Sequence, residues 1–199
     1  MWLFIIYATL LIKNHTLYID TEILVLLEIE LVRKAKEGDR EAFAHLYTDV
    51  SRKLYSTAFY LLGRKEDAED IVMDTITDAY KSIKQLRDES AFERWIMRIL
   101  VNKAKKRRGF YIDEPLELDE DITSVSDIDS EEKIVLWKAM NMISDTEREI
   151  LILGIVDGYK SEEISKIMNI NTNTVRSKRK RALEKIRTIL VNGGYGNDR

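Results

Sequence analysis

A chain of 199 residues is long enough for one or two small domains with cores of their own. Its 32 basic and 35 acidic side chains leave a net charge of −3, which excludes a protein coated all over in nucleic acid and confines any DNA binding to local patches. Charged residues make up 34% of the chain against an average of about 25%, with eight glycines and one proline, the balance of exposed helices. The absence of cysteine excludes disulfides, thiolate chemistry and cysteine zinc sites and suits a reducing cytoplasm.

Met1–Ile12, MWLFIIYATLLI, is the most apolar stretch, but it is shorter than the ~20 residues a membrane helix needs. It has neither the leading positive charge nor the small-residue cleavage site of a secretory signal. Three readings stand beside one another: a helix packed on the body, a weak membrane-contacting segment, or an upstream extension outside the native start. The last is preferred, because patterned sequence begins only near Glu28; residues 1–27 are therefore set apart.

A short helix is predicted over Ile29–Lys36, ended by Gly38, with Asp39 capping the next. Over Arg40–Leu62 the apolar residues Phe43, Leu46, Val50, Leu54, Phe59 and Leu62 recur at helical intervals, so one broad face is buried and Gly63 closes the helix. A further helix runs over Lys65–Leu86 from an acidic start that suits the helix dipole. Ala68, Ile71, Val72, Ile76, Ala79 and Ile83 supply its core face, while Asp70, Met73, Asp74 and Thr77 share an outer stripe, either plain solvated surface or a partner surface.

After a polar break at Arg87–Ser90 comes Ala91–Gly109. Phe92, Trp95, Ile96, Ile99 and Leu100 anchor this helix, and five of the six residues Lys103–Arg108 are basic. With Asn102 and Arg98 one and two turns earlier, the basic end suits phosphate contact with some base contact; a merely solvated terminus is the plain alternative. Phe110–Glu132 then carries ten acidic residues, no basic ones and Pro115, and is expected to be an acidic tether able to compete with DNA for the basic patches.

A second helical unit opens at Ser130 with Ile134, Val135, Trp137 and Met140. Ser144-Asp145-Thr146-Glu147 has the spacing of a capping box and starts a helix over Thr146–Val156, ended by Asp157-Gly158. Ser161–Leu190 has the pattern of a helix-turn-helix: Ile164, Ile167 and Met168 on a first helix, a turn at Asn169-Ile170-Asn171, and Val175, Ala182, Ile186 and Ile189 on a second. Thr172, Asn173, Thr174, Arg176, Ser177, Lys178, Lys180 and Arg181 fall on its outward face, where hydroxyl and amide groups suit base edges and cations suit phosphates. No glycine phosphate cradle, HExxH or nucleophile with a base partner is present, and neither His15 nor His45 has ligand spacing around it, so no enzyme, metal or cofactor is expected.

The predicted fold is therefore all-α: two small helical domains joined by an acidic linker, the C-terminal one a helix-turn-helix. This order of motifs resembles the extracytoplasmic-function sigma factors, which direct bacterial RNA polymerase to promoters. The resemblance is carried by LVRKAKEGDREAFAHLY, DAEDIVMDTITDAYKSI, FERWIMRILVNKAKKRRG and SDTEREILILGIVDGYKSEEISKIMNINTNTVRSKRKRALEKI. It implies a region 2 domain at 28–109, a linker at 110–129, a region 4 domain at 130–190 and a tail at 191–199. It further implies a grip on the core polymerase clamp through Asp67, Asp70, Ile71, Met73, Asp74 and Thr75. The family commonly has Gln where Met73 stands and Phe where Ile76 stands.

By the same resemblance Arg98, Asn102, Lys103, Lys105, Lys106 and Arg107 serve the proximal promoter element, whose unstacked base is held by the Leu86–Ala91 loop and the helix after it. The helix from Thr172 would face the distal element. Arg179 replaces a usually buried Leu, so either that helix is rotated or Arg179 lies along its edge. Implied partners are core RNA polymerase, promoter DNA and an anti-sigma factor, through which alone a membrane would enter; no small-molecule substrate is implied, and the place of action is the cytoplasm. Two rivals have different requirements: a free-standing helix-turn-helix regulator whose first domain dimerises or senses, and an inert helical interaction protein.

Overall fold

The structure, a computed structural model, describes residues 21–109 and 130–192, without the side chains of 21–22 and 130–134. Expectations for the apolar start, the acidic tether, the Ser130 cap and the tail lie outside what it describes. Among the described residues eight α-helices follow in order: α1 Thr21–Glu37, α2 Arg40–Leu62, α3 Lys65–Ser82, α4 Phe92–Arg108, α5 Ser130–Asn141, α6 Asp145–Leu151, α7 Ser161–Met168 and α8 Thr172–Asn192. No strand occurs among the described residues.

Local chemistry sets the helix ends. Asp39 Oδ1 accepts from the amides of Glu41 and Ala42 at 2.9 and 3.0 Å, capping α2. Gly63, at φ 74°, closes the same helix with its N–H on the Phe59 carbonyl, a left-handed geometry that costs glycine little. The first helix is longer than expected, starting at Thr21 instead of Ile29. Its added turns expose Ile23–Leu27, and packing begins only around Leu31 and Val32, which is why the core pattern becomes visible so late.

Helices α1 to α4 pack around Phe43, Leu46, Leu54, Phe59, Phe92 and Leu100, all nearly or fully buried. Trp95 is half-buried against this core, 6.1 Å from the Phe92 ring, in keeping with an anchoring role. The expected capping box is present: Ser144 N and Oγ lie 3.2 and 2.8 Å from Glu147 Oε2. The helix it opens does not stay α-helical to Val156. It passes at Ile152–Val156 into a π-helical turn, marked by the Asp157 N–H on the Ile152 carbonyl at 3.2 Å. Gly158, at φ 77°, then turns the chain so that Tyr159 returns inward.

Lys185 of α8 ties this segment down by donating to both Glu147 carboxylate oxygens at 2.9 Å. That bond, with those from Ser144, holds the Glu147 carboxyl down at about 2, below the ordinary 4.5. A lowered carboxylate pKa contributes stability that is complete above pH 4.5 and is lost as the pH falls toward 2. Thermal melts between pH 2 and 6 should therefore show a smaller acid-side fall for Glu147→Gln than for the parent, and parallel curves would contradict this.

The two helical units are not separate beads. Buried apolar residues of both halves form one continuous cluster, and α4 lies against α7 while α2 touches the π turn.

Candidate nucleic-acid and polymerase interface

The helix-turn-helix forms as its residues require. Asn169 adopts φ 55°, ψ 47° to end α7, and the Asn171 side chain caps α8 by accepting from the Asn173 N–H at 2.8 Å. Ile170 plugs the corner from a half-buried position, and Val175, Ala182 and Ile186 face inward. Asn173, Arg176, Ser177, Lys180 and Arg181 are exposed; Thr172, Thr174 and Lys178 are half-exposed. This makes one polar, cationic surface that begins at the helix N-terminus.

Part of that surface is already engaged. Arg176 pairs with Glu162 of α7, the Thr172 and Ser165 hydroxyls lie 3.1 Å apart, and Arg181 Nε donates to the Ser177 carbonyl at 3.3 Å. Arg179 lies along the edge, half-buried: a Cβ added to Gly154 would stand 3.3 Å from its guanidinium carbon. The missing side chain of Gly154 makes room for this arginine, so α8 keeps its register without the usual leucine.

The basic end of α4 divides into three groups. Arg98, Asn102 and Lys106 are exposed and lie about one turn apart, forming a free stripe. Lys103 binds Asp78 at 2.7 Å, and Arg107 binds Asp67 at 2.7 Å and Asp70 at 3.5 Å, so both lock α4 onto α3. The bond from Lys103 lowers the Asp78 carboxyl below its usual range. Lys105 and Arg108 instead reach the second unit: Lys105 stands 3.0 Å from Glu149, and Arg108 stands 3.0 Å from Asp145 while donating to the Leu61 carbonyl. Burial pushes the Glu149 carboxyl up and the Arg108 guanidinium down.

The expected polymerase grip is split by burial. Asp70, Met73 and Asp74 are exposed, with Met73 63% accessible, and with Thr77 they form the outer stripe of α3. Ile71 and Thr75, also implied by the resemblance, lie beneath this stripe. They are 4% and 0% exposed, Ile71 in the core and Thr75 bonded through its hydroxyl to the Ile71 carbonyl at 2.7 Å. Asp67, 7% exposed, is likewise turned inward to Arg107. Their places on the helix wheel put these three on the inner side of the helix.

Sequence reasoning missed a set of buried polar residues. Thr57 is fully buried and Arg148 is 1% exposed, its guanidinium donating to Asn141 Oδ1 at 2.8 Å and Asp145 Oδ1 at 2.7 Å. A threonine and an arginine inside amphipathic helices give no local signal of this kind; only their distant partners do. No group of acidic or histidine residues able to hold a metal occurs among the described residues, and none of their helices is long and apolar enough to cross a membrane.

Comparison with known proteins agrees with this geometry. The sigma-70 region 2 model matches residues 46–109 and the sigma-70 region 4 model matches residues 133–186. The ECF RNA polymerase sigma-E factor of Haemophilus influenzae is 30% identical over 173 residues, covering 78% of this chain and 91% of its own. The ECF sigma factor SigW of Bacillus subtilis is 28% identical over 176 residues, covering 80% and 94%. Among solved structures, CnrH in complex with the cytosolic domain of CnrY superposes with a TM-score of 0.69 at 19% identity, over 83% of this chain and 98% of that one. RpoE of Bartonella quintana, in complex with the anti-sigma factor NepR, gives 0.63 at 24%, over 74% and 96%. With both DNA-binding regions matched in order over the two helical units, the chain belongs to the extracytoplasmic-function RNA polymerase sigma factors, which direct the polymerase to promoters.

Proposed function

We propose that residues 28–109 bind core polymerase and open the promoter while residues 130–190 read the distal element, with 110–129 as the tether. The observation that carries this reading is the pair of exposed stripes: Asp70, Met73, Asp74 and Thr77 on α3, and Arg98, Asn102 and Lys106 on α4. The acidic stripe with a methionine at its centre offers the clamp a mixed polar and apolar grip. The α4 stripe is assigned to the strand that separates. Exposing a base costs a few kcal/mol, which pocketing and phosphate contacts offset. No bond is made or broken by the sigma factor in that step, and its work on polymerase and promoter DNA belongs to the cytoplasm. Family membership adds an expected third partner, an anti-sigma factor covering the same stripes.

On α8, Asn173, Thr174 and Ser177 are assigned to base edges and Arg176, Lys178, Lys180 and Arg181 to phosphates. The test is transcription and promoter binding by holoenzyme assembled from core polymerase and this chain. Core-dependent initiation is expected, with none from the free chain. Replacing Arg176 or Lys178 by Ala should lower initiation at the cognate promoter, and full activity in both variants would sink the assignment. In the same binding assay, Arg181→Ala should reduce the salt slope of log K by about 0.9, the loss of one phosphate contact. Arg179→Leu should leave the slope unchanged, because that guanidinium sits over Gly154.

A further inference from the structure

Where α2 and α4 meet the Asp157–Glu163 segment, the contact is polar and partly buried. The Thr57 hydroxyl, fully buried on α2, lies 3.0 and 2.9 Å from the two Asp157 carboxylate oxygens and 2.8 Å from the Lys53 carbonyl. One turn away, the Tyr159 hydroxyl donates to Glu93 Oε1 of α4 at 2.6 Å. Lys53 reaches the same oxygen at 2.6 Å while lying 4.3 Å above the Tyr159 ring. Arg94 stands 3.8 Å from Glu163 of α7 at the margin. At the far end of α4 the same docking places Lys105 against Glu149 and Arg108 against Asp145.

We infer that this contact is an intramolecular latch: in the free chain the helix-turn-helix unit is held against α2 and α4 by Asp157 and Tyr159. The docked state withdraws Lys105 and Arg108 from DNA and must open before both promoter elements can be engaged.

The hydrogen-bond count makes the latch acid-sensitive. Thr57 has a single hydroxyl proton and two acceptors, the Lys53 carbonyl and the Asp157 carboxylate. With Asp157 ionised, the single Thr57 proton can serve only one of the two; with Asp157 protonated, its own O–H donates to Thr57 Oγ1 while Thr57 donates to Lys53, and both contacts are made. The groups facing Asp157 are Lys53 and Thr57 from α2, Glu93 from α4 and Tyr159 from its own segment. Burial dominates and raises the Asp157 carboxyl from 3.8 to about 6, against the lowering effects of Thr57 and Lys53. A raised acid pKa favours docking below its undocked value and loses that contribution as the pH rises through 6, so docking weakens from pH 5 to 8. Glu93 works in the opposite sense. Burial raises it, but the bonds from Lys53 and Tyr159 outweigh burial and leave it below 4.5, so its contribution fails only under more acid conditions.

The chain has no cysteine, so two spin labels can be placed through Lys81→Cys and Glu184→Cys, both on exposed positions away from the latch. Distances in the full-length free chain should be narrowly distributed at pH 5, with the docked-to-open ratio falling about tenfold by pH 8. Asp157→Asn should stay docked at both values, since its amide supplies the missing donor. Thr57→Val should be broad even at pH 5. In single-round transcription at pH 8, Asp157→Asn holoenzyme should form open complexes more slowly than wild type. A wild-type distribution that is the same at pH 5 and 8, or a full pH response in Asp157→Asn, would overturn the latch. Open complexes formed as fast by Asp157→Asn as by wild type would overturn its inhibitory role. Core-dependent initiation by the wild type is read in the same assay, so failure of the latch is distinguishable from failure of the sigma-factor reading.

Discussion

Phe92→Ala is expected to cost about 3–5 kcal/mol of unfolding free energy, the range for deleting a large buried ring. Phe92 is fully buried at the start of α4, and α4 is the element on which α2, α3 and α7 all pack. A domain with a total stability of ~5–15 kcal/mol cannot lose that much without populating unfolded chains near physiological temperature. Urea or guanidinium unfolding followed by tryptophan fluorescence measures it, because Trp95 stands 6.1 Å from the ring removed. A loss below about 1 kcal/mol would mean that the site collapses freely and that α4 is not the central element described above.

Val175→Asp is expected to have an effect of similar size on the other half. Val175 is fully buried at the first turn of α8, immediately beside the residues assigned to the promoter. A carboxylate there is taken from water into the apolar cluster that holds Val175, and burying a charge in this way costs about 3–5 kcal/mol. Thermal melting and amide chemical shifts should show α7 and α8 loosened, and distal-element binding should be lost with them. Val175→Ile, which preserves apolar character, should cost no more than about 1–3 kcal/mol through overpacking. Equal tolerance of both changes would place Val175 on the surface and rotate the whole helix.

Much of the fold was legible because its signals are local. The Asp39 cap, the Gly63 terminus, the Ser144 capping box and the Asn169–Asn171 turn depend on residues within four positions of one another. Core faces repeat every three or four residues, so Phe43, Leu46, Val50 and Leu54 could be assigned inward from spacing alone. The outer stripe of α3 was legible for the same reason. A family motif, by contrast, names Ile71 and Thr75 together with their exposed neighbours and does not separate a residue that touches a partner from one that supports it.

Arg179 illustrates the boundary. Its position breaks the apolar stripe, and two arrangements were open; the outcome rests on Gly154, 25 residues earlier, whose missing Cβ leaves space for the guanidinium. The basic run of α4 is similar. Five basic residues within six positions look alike in sequence, yet Lys103 and Arg107 hold α3, Lys105 and Arg108 hold the second unit, and Lys106 is left to solvent.

By itself, then, the sequence determined where most of the helices lie, several of their caps, the helix-turn-helix and the family, since each is written in short-range spacing and residue type. Tertiary structure decided which cations remain available, which residues of the α3 stripe face out, and that the two units dock through Thr57 with Asp157 and Glu93 with Tyr159. Those pairs lie 100 and 66 residues apart. No local periodicity encodes such a meeting: a hydroxyl or carboxylate inside an amphipathic helix acquires its role only when packing removes water and brings one particular partner within hydrogen-bond distance.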